Sequence, residues 1–125
     1  MKAVMSKNAP APIGPYNQAV LADDFLFVSG CLGLDPTSGE LKEGIELQAK
    51  QAMDNLVSIL KEGCFTTSNI VKTTVFLNDI NDFNKFNEIY ASYFDGTWFP
   101  SRTCVEVSKL PKNALLEIEA IAYKG

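Results

Sequence analysis

The chain of 125 residues contains no histidine. This absence excludes a Ser-His-Asp triad, a Cys-His catalytic pair, a His-ligated metal and a histidine general base. Any catalysis must therefore depend on Arg, Lys, Asp, Glu, Tyr, Ser, Thr or Cys side chains, together with backbone groups and water.

The sequence is also poor in cysteine, in basic residues and in long apolar runs. Its three cysteines are widely spaced and form no CxxC, which indicates neither a zinc site nor a disulfide framework and fits a reducing compartment. The formal net charge of -4 argues against nucleic-acid binding by counterion release. No apolar run approaches the ~18 residues of a membrane span, and the first residues lack a secretory signal, so we expect a cytoplasmic protein.

What is present is typical of one globular domain covering residues 1–125, with 46% hydrophobic and 21% charged residues. Periodicity predicts strands at 19–22, 25–30, 70–78, 102–108 and 114–123, and helices at 45–62 and from 82 to near 95. Asp23 and Asp24 form the turn of a hairpin, Gly63 ends the first helix, and Asp82 caps the second. This order implies an α+β fold with both helices on one face of a single sheet, whose other face has no cover within the chain.

Alternation in the last two strands divides their residues between two faces. The face predicted to meet the helices carries Thr103, Val105, Val107, Leu116, Ile118, Ala120 and Ala122. The opposite face is predicted to carry Arg102, Cys104, Glu106, Leu115, Glu117, Glu119 and Ile121. Charges of both signs on one sheet face are typical of a solvated surface with weak ion pairs. They also fit a subunit interface, or a site where an arginine binds a carboxylate and a glutamate orients water.

Two further segments carry candidate functional groups. The prolines and glycine of residues 9–18, APAPIGPYNQ, hold Tyr16 on a stiffened loop, as a surface anchor or as a pocket wall. Ser29 and Gly30 end a strand, where a hydroxyl and backbone groups can contact a ligand. Cys104 has no histidine or CxxC partner to activate it, so we interpret it as a packing or pocket-wall residue rather than a nucleophile.

Several segments together resemble the RidA family, also called YjgF or L-PSP, from end to end. They are APIGPYNQAV, VSG at 28–30, VKTTVFLNDINDF, NEIYASYF and FPSRTCVEVSKLPKNALLEIEAIA. The resemblance implies a chorismate-mutase-like fold, with a mixed sheet of about six strands and two helices on one face. It also implies a homotrimeric barrel with active sites in clefts between subunits. The implied activity, in the control of metabolite damage, is hydrolysis of the reactive products 2-iminobutanoate and 2-iminopropanoate to 2-keto acids and ammonia, without a metal or organic cofactor.

The resemblance also implies roles for individual residues. Arg102 matches the family arginine that binds the substrate carboxylate, and Glu117 matches the glutamate that positions the attacking water. Tyr16, Ser29, Asn87 and Cys104 match other substrate-binding positions. The expected catalysis suits a chain without histidine, since a protonated imine is already electrophilic and needs orientation and proton handling more than a strong nucleophile.

The chain departs from the family pattern at Cys31, Gly33 and Thr103, and its loop at 95–98 is short, so the accepted imine side chain can differ. Two other functions stay open at this point. One is a metabolite-binding or chaperone-like protein that uses the same cleft without turnover. The other is an endoribonuclease or translation inhibitor, against which the acidic balance and the lack of histidine both argue.

Overall fold

The computed structural model describes all residues, 1–125, and builds one six-stranded sheet and two α-helices from them. The strands are β1 (Lys2–Val4), β2 (Ala19–Ala22), β3 (Phe25–Leu32), β4 (Ile70–Leu77), β5 (Ser101–Glu106) and β6 (Leu116–Tyr123). The helices are α1 (Gly44–Glu62) and α2 (Phe83–Ala91). Across the sheet the order is β1-β2-β3-β6-β4-β5, and only the β4–β5 pair is parallel. The predicted α+β fold with a mixed sheet and two helices is confirmed.

The β2–β3 hairpin turns at Asp23 and Asp24, as predicted. Asp23 adopts a left-handed φ of 51°, which aspartate tolerates better than most residues in tight turns. β1, which the sequence analysis did not predict, pairs antiparallel with β2 at the sheet edge. Three residues are too few to display a strand pattern, so pairing with β2 rather than local sequence defines this strand.

α1 covers the sheet with an apolar face at helical spacing, within one residue of its predicted bounds. Ala49, Ala52, Met53 and Leu56 on that face are fully buried against the sheet. The left-handed residue after the helix is Cys64, with φ 66°, whereas Gly63 keeps a negative φ. Neither helix is both long and apolar enough to cross a membrane.

α2 begins where it is predicted to begin, but it is shorter than predicted. It ends at Ala91 rather than near residue 95. Asp82 is the N-cap residue, as predicted, but its side chain forms no capping hydrogen bond. Instead, the Asp79 side chain accepts a hydrogen bond from the backbone N–H of Asn81 in a 3₁₀ turn that leads into α2. The buried side of α2 nevertheless meets the sheet through Phe86 and Tyr90, as the predicted pattern requires.

β4, α2 and β5 form a crossover that places β5 parallel to β4 at the second edge of the sheet. In this register Arg102 lies opposite Thr73, and Cys104 lies opposite Val75. Thr73 and Val75 are fully buried on the helix-covered face. Since residues directly opposite each other on neighbouring strands share a face, Arg102 and Cys104 also face the helices.

The predicted facing of β5 is therefore wrong, whereas that of β6 is confirmed. Thr103 and Val105 are exposed, and Arg102, Cys104 and Glu106 do not share a face with Glu117. The β6 residues predicted to face the helices are all buried: Leu116, Ile118, Ala120 and Ala122. Alternation assigns residues to two faces but does not say which face turns inward, and here the crossover through α2 decides it.

Candidate active site

A single buried amide ties down the start of the proline-rich loop at residues 9–16. Gln18 is 4% exposed and accepts a hydrogen bond from the Ser6 N–H at 2.7 Å. Its Nε2 donates to the carbonyls of Ser6 at 3.1 Å, Ala9 at 3.4 Å and Pro10 at 2.8 Å. Because buried backbone groups are costly to leave unpaired, these bonds fix the path of the chain that leads to Tyr16.

Tyr16 lies on this loop, and Ser29 lies on the neighbouring strand β3. The exposed Tyr16 hydroxyl accepts a hydrogen bond from the Ile13 N–H at 3.2 Å. Ser29 donates through its N–H to the Gln18 carbonyl at 2.9 Å and through Oγ to the Asn17 carbonyl at 2.7 Å. The Ser29 bonds join the loop to β3, and Tyr16 and Ser29 line one cavity. The prediction that Ser29 and Gly30 end the strand is wrong, since β3 continues to Leu32.

Glu117 pairs with Leu32 of β3, just beyond a bulge in β3 between Val28 and Cys31. Gly30 in the bulge packs against Glu117 so closely that a Cβ added there would lie 2.6 Å from the Glu117 Cδ. The half-buried Glu117 carboxylate has no ion-pair partner. Burial, and secondarily the charge of Glu119, raises the pKa of Glu117. A half-buried carboxyl with a raised pKa is suited to accepting a proton from water.

Tyr16, Ser29, Gly30 and Glu117 line one cavity of about 420 Å³. Such a volume falls in the range of small-molecule sites in proteins. Its apolar walls come from the proline-rich loop, from β3 and from α1, so the cavity combines a few polar groups with an apolar lining. The structure brings these predicted residues together, and we name this place the glutamate pocket.

The thiols near these groups are not activated. Burial, together with the nearby Glu117 charge, raises the pKa of the Cys31 thiol to about 12. Partial burial raises the pKa of Cys104 as well, although the Arg102 charge opposes this shift. A protonated thiol is a poor nucleophile, and the Cys104 side chain packs against the hydrophobic core, which agrees with its interpretation as a packing residue. No group of three or more Cys, Asp or Glu side chains is arranged to hold a metal ion.

Arg102 is the only arginine in the chain, and aromatic rings hold it. Its Cζ lies 4.8 Å from the ring centroid of Tyr90, 5.5 Å from that of Phe83 and 6.0 Å from that of Phe86. Neither of the two salt bridges of the chain includes Arg102. The guanidinium is therefore held on rings of α2 without an acidic partner, and it can receive an anion.

Asn87 lies on α2 near Arg102, one helical turn before Ala91. It lines a shallow groove with Arg102, Tyr90 and Phe99, and we name this place the arginine groove. The Oδ1 atom of Asn87 is buried and has no hydrogen-bond partner. Because buried polar atoms are rarely left unpaired, this oxygen is free to accept a hydrogen bond from a bound molecule or from a neighbouring subunit.

The predicted residues thus form two groups rather than one. Tyr16, Ser29 and Glu117 belong to the glutamate pocket, whereas Arg102 and Asn87 belong to the arginine groove. Glu117 projects from the face opposite the helices, since the β6 residues on either side of it are buried in the core. The rings beneath Arg102 were missed as site residues. Their spacing on α2 indicated a core stripe, and no feature of the sequence says that an arginine from another strand lies on it.

Comparison with known proteins identifies relatives along the whole chain. A sequence model of the family described as endoribonuclease L-PSP matches residues 6–124. A human protein named 2-iminobutanoate/2-iminopropanoate deaminase is 48% identical over 125 residues, covering 99% of this chain and 90% of its own. A RutC family protein of Pyrococcus horikoshii is 48% identical over 124 residues, covering 98% of each chain.

Solved structures agree with this similarity. The structure of Escherichia coli TdcF with bound serine has a TM-score of 0.97 and 38% identity, and the match covers 100% of both chains. The structure of the Escherichia coli YjgF gene product has a TM-score of 0.96 and 40% identity, again over 100% of both chains. Sequence and fold lead to one conclusion: the chain belongs to the RidA family, also called YjgF or L-PSP.

Proposed function

We propose that this protein hydrolyses reactive 2-imino acids, such as 2-iminobutanoate and 2-iminopropanoate, to 2-keto acids and ammonia. The observation that carries the proposal is the sole arginine, Arg102, held on aromatic rings without an acidic partner. A guanidinium presented in this way suits a carboxylate, which every 2-imino acid has. The relatives named as deaminases of these two imines, at 48% to 50% identity, support the same substrate class.

The complete site requires two copies of the chain. Arg102 and Glu117 project from opposite faces of one sheet, so a single chain cannot direct both at one small molecule. A neighbouring copy laid on the open face brings its own arginine groove to the glutamate pocket. That face carries exposed apolar side chains, Phe25, Phe27, Val105 and Tyr123, which association would bury. A homotrimer, as the family resemblance implies, closes this arrangement with three equivalent sites.

In this site each residue performs one step. Arg102 of one copy binds the carboxylate and orients the C=N bond, while Glu117 of the next copy takes a proton from water as the water oxygen attacks the imine carbon. The resulting carbinolamine loses ammonia when its nitrogen receives a proton and its hydroxyl loses one, which leaves the 2-keto acid. Tyr16 and Ser29 offer hydroxyls to the substrate, and Asn87 and the Cys104 backbone lie on the arginine side. No cofactor takes part.

A coupled assay tests this proposal. A pyridoxal-phosphate-dependent threonine dehydratase generates 2-iminobutanoate beside a trapping amine, and release of the 2-keto acid is measured. We expect the wild type to accelerate release and Arg102→Ala to lose the effect at an unchanged oligomeric state. Lys85→Ala is the matched control, because it removes one positive charge from an exposed position of α2 and should behave as wild type. If the wild type does not accelerate release, the deaminase proposal is wrong.

A protein that binds metabolites without turnover is the second candidate. The Escherichia coli TdcF structure with bound serine favours it, since it shows a relative holding an intact amino acid. In that case 2-ketobutanoate would bind to the wild type and not to Arg102→Ala, while the release rate stayed unchanged. A cytoplasmic location fits both candidates, because the three cysteines are unpaired. An endoribonuclease has no support from the residues of either site, which contain no histidine and only one cation.

A further inference from the structure

The way in which Arg102 is held leads to an inference that rests on the proposed carboxylate-binding role of this residue. Its guanidinium lies near three rings of α2, and the nearest is Tyr90, at 4.8 Å from Cζ to the ring centroid. A guanidinium is planar, and a cation within about 6 Å of a ring centroid is attracted to the ring face. Contact through the flat face leaves the N–H groups at its edge available for a bidentate carboxylate.

An acidic partner would hold the arginine differently. A carboxylate from the protein would occupy the same N–H edge and compete with the carboxylate of the substrate. The structure avoids this competition, because neither salt bridge of the chain includes Arg102. Aromatic rings therefore give Arg102 a fixed position without occupying its donors.

Tyr90 is itself held rigidly. It is 5% exposed, and its hydroxyl shares a hydrogen bond of 2.8 Å with Thr73 Oγ1, which is fully buried in β4. The Phe86 and Phe94 rings pack against it, at centroid distances of 5.5 and 5.0 Å. Burial raises the pKa of Tyr90, so its phenol stays neutral and does not become a counterion for the guanidinium. Few rotamers are available to a side chain fixed at both its ring and its hydroxyl.

We propose that Tyr90 is a positioning residue, whose ring sets the plane of the Arg102 guanidinium and keeps its N–H edge directed at the substrate carboxylate. Phe83 and Phe86 complete the aromatic support. Tyr90 acts through Arg102 and takes no part in proton transfer. Its loss should therefore weaken binding of the carboxylate and leave the chemical step nearly unchanged.

The test measures binding of 2-ketobutanoate by calorimetry and steady-state kinetics in the coupled assay. Tyr90→Leu removes the ring, and we expect Kd and KM to rise about tenfold while kcat changes less than about twofold. Tyr90→Phe keeps the ring and should restore both constants to within about twofold of wild type. Tyr93→Leu is the matched control, since the Tyr93 hydroxyl donates to Asp54 of α1 and its ring is not among those near Arg102, and its Kd should equal that of wild type.

Because Tyr90 is buried, Tyr90→Leu can disturb folding, so a second variant at a less buried ring tests the same proposal. Phe83 is partly exposed and its ring lies 5.5 Å from the Arg102 Cζ, so Phe83→Leu should raise Kd about threefold. The proposal is overturned if Kd stays unchanged in both Tyr90→Leu and Phe83→Leu, if Tyr93→Leu weakens binding as much as Tyr90→Leu, or if kcat falls in Tyr90→Leu while Kd does not rise. A wild type that binds 2-ketobutanoate without turnover contradicts the deaminase proposal but still reports on Tyr90. A wild type that shows neither binding nor turnover overturns both.

Discussion

Arg102 and Glu117 both lack an ion-pair partner, but their surroundings differ. Arg102 lies on the electron-rich faces of three rings, which stabilise a positive charge. Glu117 is half-buried near a second carboxylate, Glu119, and these surroundings disfavour its negative charge and raise its pKa. The surroundings of Arg102 therefore suit a bound anion, whereas those of Glu117 favour the uptake of a proton by its carboxyl.

The two places also differ in how they are built. The arginine groove stands on regular elements, with Arg102 on β5 and its aromatic support on α2. The glutamate pocket depends on irregular backbone, namely the bulge in β3 and the loop that Gln18 ties down. Variants of these residues distinguish carboxylate binding by Arg102 from proton transfer by Glu117. They also distinguish the regular elements that support Arg102 from the irregular backbone that supports Glu117.

The largest expected effect comes from removing the proton acceptor. Glu117→Gln should lower kcat about 100-fold or more while changing the Kd for 2-ketobutanoate less than about threefold, because the arginine groove is untouched. Arg102→Ala should instead abolish binding. Steady-state kinetics and calorimetry on both variants measure the difference. The division of roles is wrong if Glu117→Gln weakens binding as strongly as Arg102→Ala does.

Two glycines of β3 and the following loop should respond differently to the same substitution. In Gly30→Ala the new Cβ meets the Glu117 side chain, which moves aside, so kcat should fall about 10-fold or more with little change in Tm. In Gly33→Ala the new Cβ would lie 2.5 Å from the Gln48 backbone oxygen of α1, so unfolding free energy should fall by about 2 kcal/mol. Kinetics and thermal unfolding check both. Equal effects of the two variants on kcat and Tm would contradict the close packing of Gly30 on Glu117.

Loss of the buried amide should loosen the loop of the glutamate pocket. Gln18→Leu leaves several buried backbone groups unpaired, and we expect it to lower the unfolding free energy by about 2 kcal/mol and to reduce kcat/KM. Urea denaturation and kinetics provide the measurement. Gln51→Leu is the control, because the Gln51 amide makes one bond, to Oδ1 of the buried Asn55, and losing that single bond should cost about 1 kcal/mol, less than losing the several bonds of Gln18. A Gln18 variant as stable as the Gln51 variant would show that these bonds do not anchor the loop.

The smallest expected effect concerns pH. The raised pKa of Glu117 means that its carboxyl becomes protonated at a less acidic pH than usual, and a protonated carboxyl cannot accept a proton from water. The value of kcat should therefore fall as the pH falls through the pKa of Glu117. Glu119→Gln removes the second of the two causes, so the acid limb of the kcat profile should move to lower pH. Burial is the larger cause and persists, so part of the shift should remain. A limb that stays in place, or moves to higher pH, would mean that Glu119 does not act on Glu117.

Much of the fold was accessible from the sequence because its pattern is strong where the elements are long. α1 has six apolar residues at helical spacing, and β6 alternates without a break, so both were predicted closely. β1 has three residues and shows no comparable pattern. The end of α2 was placed too late, since its aromatic spacing continues beyond Ala91 while the helix does not.

At the candidate site, the sequence indicated the residue types, but the periodic pattern did not indicate the face on which β5 places them. The residue types were informative, and Tyr16, Ser29 and Glu117 do meet around one cavity. The placement of Arg102 on the same face as Glu117 was wrong, because the crossover sets Arg102 opposite the buried Thr73, on the face that the helices cover. Which side of a strand turns inward depends on packing between distant parts of the chain, and alternation alone carries no information about it.

The central claim is that one site takes Arg102 from one copy and Glu117 from another. Mixed oligomers of Arg102→Ala and Glu117→Gln chains, each inactive alone, test it most directly. If chains mix at random in equal amounts, both intact groups meet at about one site in four, so the mixture should recover about a quarter of the wild-type kcat per site. If both residues acted within one chain, no site in the mixture would be intact. A mixed oligomer without activity would therefore contradict the account.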